Sequence, residues 1–120
     1  MITGPLGVRF RSSLKPRMET GEIAGYDPPT PARARQWFDL APMIGEDIFI
    51  KLYTHGGADR NLYPLLDGGL AKLYSCLAEE AARRNVEIHW ASAWQMYQAA
   101  NKLIQGNSQI ANPAEMVVEA

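Results

Sequence analysis

EDIFIKLYTHGG, residues 46–57, decides how the chain is read. Ile48, Ile50 and Leu52 recur on one side of this run, and Phe49, Lys51, Tyr53 and His55 on the other. That period of two is the spacing of a β-strand, and the β-branched and aromatic residues suit it. His55 ends the run and Gly56 and Gly57 follow it, so its side chain is expected at a strand's C-terminal end. Folds that alternate strands and helices gather their ligands at such ends.

Two further alternating segments flank this one. Leu6, Val8 and Phe10 alternate with Gly7, Arg9 and Arg11, and Val86, Ile88 and Trp90 alternate with Glu87, His89 and Ala91. Helical patterns lie between and after them. Thr30 before Pro31 reads as an N-cap followed by a first-turn proline, Ala34, Trp37, Phe38 and Ala41 share a face, and Pro42 ends the helix. From about Asp67, Leu70, Leu73, Tyr74, Leu77 and Ala81 recur at helical spacing. Arg83 and Arg84 suit that helix's C-terminal dipole, and Asn85 is its stop. Ser92 and Gln95 form a capping box ahead of Met96, Ala99, Ala100 and Leu103, with Gly106 as the final stop.

The order strand, helix, strand, helix, strand, helix predicts an α/β domain over residues 1–106, followed by a C-terminal tail over 107–120. Its three β-α units form a small parallel sheet with right-handed crossovers. Residues 12–29, rich in proline and glycine, read as a long irregular connection of the kind that serves function or a partner.

In this scheme the helices cover the apolar strand faces. The opposite, mixed face carries Arg9 and Arg11, then Lys51, Tyr53 and His55, then Glu87 and His89. Parallel sheets are normally covered on both sides, so the mixed face is expected to meet a second copy, giving a homo-oligomer. The same face supplies a candidate site. His55 is the candidate acid or base, because an imidazole titrates at about pH 6.5. Arg9, Arg11, Lys51, Tyr53 and His89 are candidate contacts for an anionic or sugar-like ligand.

Composition narrows the possibilities. The 120 residues carry 12 Lys and Arg against 13 Asp and Glu, a net charge of −1, which argues against nucleic acid or an anionic membrane as partner. Residues 1–35 hold Arg9, Arg11, Lys15, Arg17, Arg33 and Arg35 against Glu19, Glu22 and Asp27, a set read as a solvated basic edge. Cys76, the only cysteine, sits mid-helix as an inert thiol, so no intrachain disulfide forms and a reducing cytoplasmic home is expected. No signal peptide or membrane-spanning stretch is apparent. His55, His89, Asp59 and Asp67 lack metal-ligand spacing, Ser12 and Ser13 lack a base, and Gly4 and Gly7 open no helix, so neither a metal nor a cofactor is expected. Trp37, Trp90 and Trp94 read as core, with Trp94 alone a possible pocket residue.

GPLGVRF (4–10), PPTPARARQWF (28–38), IFIKLYTHGG (48–57) and EIHWASAWQMYQAANKLIQG (87–106), in this order, resemble the C-terminal part of bacterial polysaccharide deacetylase-like proteins of the NodB type. The resemblance implies part of a distorted (β/α) barrel, with His55 at the position of a late catalytic histidine that acts as general acid. The family's metal ligands, an Asp and two His, and its catalytic Asp belong to an N-terminal half whose motifs are not found in these residues. The function this implies is a stand-alone or truncated half-barrel that is not catalytic alone and serves assembly or ligand binding. The alternatives are a deacetylase or related hydrolase completed by another chain, and a small module binding an anionic or sugar-like ligand.

Overall fold

The computed structural model describes residues 2, 4–10 and 15–106. Arg11, Ser12, Ser13 and the 107–120 tail lie outside them. Among the described residues the expected parallel sheet is not formed. Strand β1 (Gly7–Phe10) pairs antiparallel with β2 (Pro16–Glu19), with Gly7 opposite Glu19 and Phe10 opposite Pro16. Helix α1 (Pro31–Leu40) follows, then a two-residue hairpin of β3 (Met43–Ile44) and β4 (Asp47–Ile48), also antiparallel. Helix α2 (Asp59–Pro64) leads through a π-type turn (Leu65–Gly69) into α3 (Leu70–Arg83), and α4 (Ala93–Ile104) is the last described element. The chain is thus a mixed α and β fold with two small antiparallel sheets, and not a half-barrel of three β-α units.

Hydrogen-bond partners explain the difference. Ile48 turns back on Met43, and the Phe49 N–H donates to the Pro42 carbonyl at 2.9 Å, so the start of the long apolar run is tied to its own upstream neighbours. Its far end is held by the segment read as irregular. Tyr53 N–H donates to Gly21 O (3.1 Å) and Ile23 N–H to Tyr53 O (2.8 Å), a single parallel bridge. Among the described residues, 86–91 pair with no strand. Alternating side chains alone could not reveal this, because period two reports which way residues point and not whether a neighbouring backbone lies in reach.

Helix ends fall where expected at Thr30, Asn85 and Ser92, whereas α2 (Asp59–Pro64) forms in a stretch where the sequence predicts no helix. Thr30 Oγ1 accepts from the Arg33 N–H at 3.1 Å, and the Ser92–Gln95 capping box closes in both directions. Asn85 adopts a left-handed φ of 54° at the end of α3. Among the described residues, no helix is long and apolar enough to cross a membrane.

Alternation within residues 48–52 is also realised, but with both faces covered. Ile48, Ile50 and Leu52 pack on a core of Ile23, Trp37, Phe38, Leu73, Cys76 and Leu77 between α1 and α3. Phe49 turns the other way, into a second cluster with Ala99 and Ala100 of α4. The mixed face is therefore closed at Phe49. At β1 the expected sides are reversed: Leu6, Val8 and Phe10 are exposed, and Arg9 turns inward.

Arg9 turns inward because of a buried ionic network that replaces the solvated basic edge. Glu19 and Trp37 are fully buried and Arg33 is 2 % exposed. Arg33 donates through Nε and a terminal nitrogen to the two Glu19 oxygens (2.9 and 2.8 Å), and its remaining donors reach the carbonyls of Glu22, Asp27 and Pro28. Trp37 Nε1 donates to Glu19 at 3.0 Å, the Gly21 N–H donates at 2.9 Å, and the guanidinium of Arg33 lies 5.0 Å from the indole centroid. Arg9 bridges Glu19 (3.2 Å) and Asp27, which also lies 3.5 Å from Arg17. Hydrogen bonds in this number offset the desolvation of buried charges, whereas removing one partner strands the others.

A second ionic group ties the helices together. Buried Glu80 accepts from Arg83 and Arg84, while Arg84 also reaches Asp39 of α1 at 2.7 Å and lies 5.2 Å from the Phe38 ring.

Two measurements test the network. Arg33→Met, which leaves Glu19 buried without its main partner, should lower unfolding free energy by about 3–5 kcal/mol in urea titration. Burial alone would raise the Glu19 pKa from its ordinary 4.5, but hydrogen bonds from Arg33, Trp37 and Gly21 outweigh it and bring the group down to about 2. A folded pKa below the unfolded one contributes stability that is present above about pH 5 and lost as pH falls towards 2. Urea midpoints measured from pH 7 to pH 2 should fall in that window, and the fall should be smaller in Glu19→Gln.

Candidate functional site

His55 lies on an open surface built from both sides of the parallel bridge. Because Gly21 and Ile23 pair with Tyr53, the intervening Glu22 projects beside the end of the apolar run. Glu22 Oε1 stands 3.9 Å from His55 Nε2, and Glu22 Oε2 accepts from the Tyr26 hydroxyl at 2.9 Å. That hydrogen bond is the main cause raising the Tyr26 pKa above its usual 10.0. The Arg17 guanidinium stands 5.1 Å from the Tyr26 ring centroid. Tyr53 meets His55 edge-to-face at 5.9 Å and bonds to Thr20 Oγ1 at 3.3 Å. The result is a row of hydroxyls, a carboxylate and an imidazole between two aromatic rings.

The backbone beneath this row is held by Asn61, which is 1 % exposed. Its Oδ1 accepts from the Gly25 N–H (3.0 Å) and its Nδ2 donates to the His55 carbonyl (3.1 Å), so the Tyr26 turn and the His55 loop share one anchor. Glycine is required at two points on the same stretch. Gly21 has a φ of 76°, and a Cβ on Gly25 would stand 2.3 Å from the Arg60 carbonyl. Gly57 faces open space, which leaves the backbone after His55 approachable.

Of the residues picked from sequence, the structure brings Tyr53 and His55 together. Arg9 is committed to Asp27 and Glu19 inside the network, and its hydrogen bond to Asp27 raises its pKa further. Lys51 reaches back to the Ile2 carbonyl at 3.4 Å. His89 pairs with Glu87 at 3.7 Å on a separate cleft. Arg11 lies outside the described residues. Glu22, Tyr26 and Asn61 were not singled out from sequence. Gly21 and Gly25 mark a tight turn around Glu22 and Tyr26, whereas nothing local marks Asn61, whose role depends on α2 meeting two distant loops.

Cys76 is buried, and burial pushes its thiol pKa up, as an inert thiol requires. Trp37 is core, but Trp90 and Trp94 are about half exposed, Trp90 edge-on to Tyr74 (4.9 Å) and Trp94 stacked on Tyr97 (5.3 Å). Among the described residues, no three His, Cys, Asp or Glu side chains converge as metal ligands would. The chain matches no family model, no curated protein and no solved structure.

Asn61→Ala would deprive the Gly25 N–H and the His55 carbonyl of their partner. A loss of roughly 1–3 kcal/mol in urea denaturation is expected, with faster amide exchange at Gly25.

Proposed function

We propose that this chain is a binding protein related to the NodB-type deacetylase-like family, that it takes a sugar-like ligand at the Tyr26–Glu22–His55–Tyr53 surface, and that it is not catalytic alone. The observation that carries this reading is the Glu22 carboxylate set between Tyr26 and His55, with Tyr53 beyond. Vicinal hydroxyls suit a carboxylate flanked by donors, and aromatic rings supply apolar faces for the C–H side of a sugar. The His55 side chain is 73 % exposed, and catalysis by a single imidazole is favoured by a site that excludes water. Tetra-N-acetylchitotetraose and glucuronate, titrated against labelled protein, should shift the amide signals of Glu22, Tyr26 and His55. Tyr53→Ala and Glu22→Gln should each weaken binding at least tenfold. Unchanged spectra with both sugars would remove the reading.

We also infer that the chain acts in the cytoplasm as a homo-oligomer. Its lone cysteine suits a reducing compartment. For self-association, the surface that invites cover is the β1–β2 hairpin, where Leu6, Val8, Phe10 and Met18 are 57–72 % exposed. Light scattering should give a mass of at least two chains, and Phe10→Lys should reduce it to one. A wild-type monomer at high protein concentration would refute self-association.

A further inference from the structure

A cleft of about 450 Å³ opens between residues 46–50 and 86–91, away from His55. Its wall and floor are apolar, with Ile50 and Ile88 from the two segments and Met96 from α4. Among the described residues, the ionisable groups lining it are Glu46, Asp47, Glu87 and His89, and no Lys or Arg lines it. Glu46 and Glu87 are exposed, so their charges stand at the opening.

The backbone of the 86–91 wall is equally distinctive. Val86 N–H still donates to Ala81 O at 3.0 Å, but among the described residues Glu87 to Ala91 make no backbone–backbone hydrogen bond. Backbone donors and acceptors in native proteins almost always find partners, and an unpaired run bordering an apolar cleft is a template for an added strand. Residues 46–50 lie across the cleft and, among the described residues, do not supply that partner.

We propose that this cleft binds an extended peptide segment of another protein, with apolar side chains alternating with lysine or arginine, added as a strand along Glu87–Ala91. Each feature selects part of that ligand. The unpaired backbone takes the peptide's main chain, the apolar floor takes alternate side chains, and Glu46, Asp47 and Glu87 take the intervening cations. A small organic amine would satisfy the acidic rim and leave the row of backbone groups unpaired. The chain's own exposed strand β1 is a poor occupant, because Arg9 is held inward by Asp27 and Glu19.

The test uses the full chain and the hexapeptide KVKVKV, with its charge-reversed form EVEVEV, a form N-methylated on alternate backbone nitrogens, and hexylamine. In calorimetric titration KVKVKV should bind with a micromolar Kd that weakens as salt is raised. EVEVEV and the N-methylated peptide should each bind at least tenfold more weakly. Asp47→Lys with Glu87→Lys should weaken KVKVKV at least tenfold while the melting curve is retained. If that double variant does not fold, the peptide comparison on the unaltered protein decides alone. The proposal is overturned if KVKVKV does not bind, or if EVEVEV or the N-methylated peptide binds equally well. Hexylamine displacing KVKVKV at similar affinity would assign the cleft to small amines. Loss of peptide binding as the protein self-associates would assign it to a second copy.

Discussion

Glu19 is the residue on which the rest of the structure depends. It accepts from Arg33, Trp37 and the Gly21 backbone, and it stands 3.2 Å from Arg9. Those partners come from β1, α1 and the loop after β2, so one carboxylate joins the N-terminal hairpin to the first helix. Arg33 extends the tie by donating to three loop carbonyls, which makes the 20–30 stretch an ordered part of the molecule despite its prolines and glycines. Burying charge in this way is unfavourable unless nearly every donor and acceptor is used, and here nearly every one is.

Order in that loop has a consequence one step further on. Gly21 and Ile23 are held where they pair with Tyr53, and the end of the 48–54 run is fastened to the loop instead of to a parallel neighbour. Glu22 then stands beside His55, and Asn61 closes the arrangement from α2. The Glu22–His55 surface is therefore a product of the buried network: side chains at the surface are positioned by charges buried beneath the loop that carries Glu22.

Among the described residues, the same topology leaves the third alternating segment without a strand partner. With residues 48–52 covered by α1 and α3 on one face and α4 on the other, Ile88 still contributes to the core, but among the described residues the backbone of Glu87–Ala91 makes no backbone–backbone hydrogen bond. Two regions of the surface thus differ in chemistry. One presents hydroxyls, a carboxylate and aromatic rings over a backbone anchored by Asn61, and the other presents a cleft lined by acidic and apolar side chains, along which Glu87–Ala91 make no backbone–backbone hydrogen bond among the described residues.

Much of this was legible residue by residue. Thr30 and Pro31, Asn85, the Ser92–Gln95 box and Gly106 mark helix ends through interactions that span only a few residues, so the pattern itself specifies them. Alternation in 48–52 correctly separates Ile48, Ile50 and Leu52 from Phe49. What sequence could not decide was partnership across distance. Arg9, Glu19, Asp27 and Arg33 look like ordinary surface charges until folding brings them together, and strand-like alternation at 86–90 says nothing of whether another strand arrives. His55 and Tyr53 were visible as the end of a run, whereas Glu22, Tyr26 and Asn61 became part of the site only through contacts 4 to 36 residues apart in sequence. Local hydrogen bonding wrote the caps of α1 and α4 into the sequence, and only tertiary burial, which makes the ion pairs cooperative, selected the antiparallel hairpins and assembled the site.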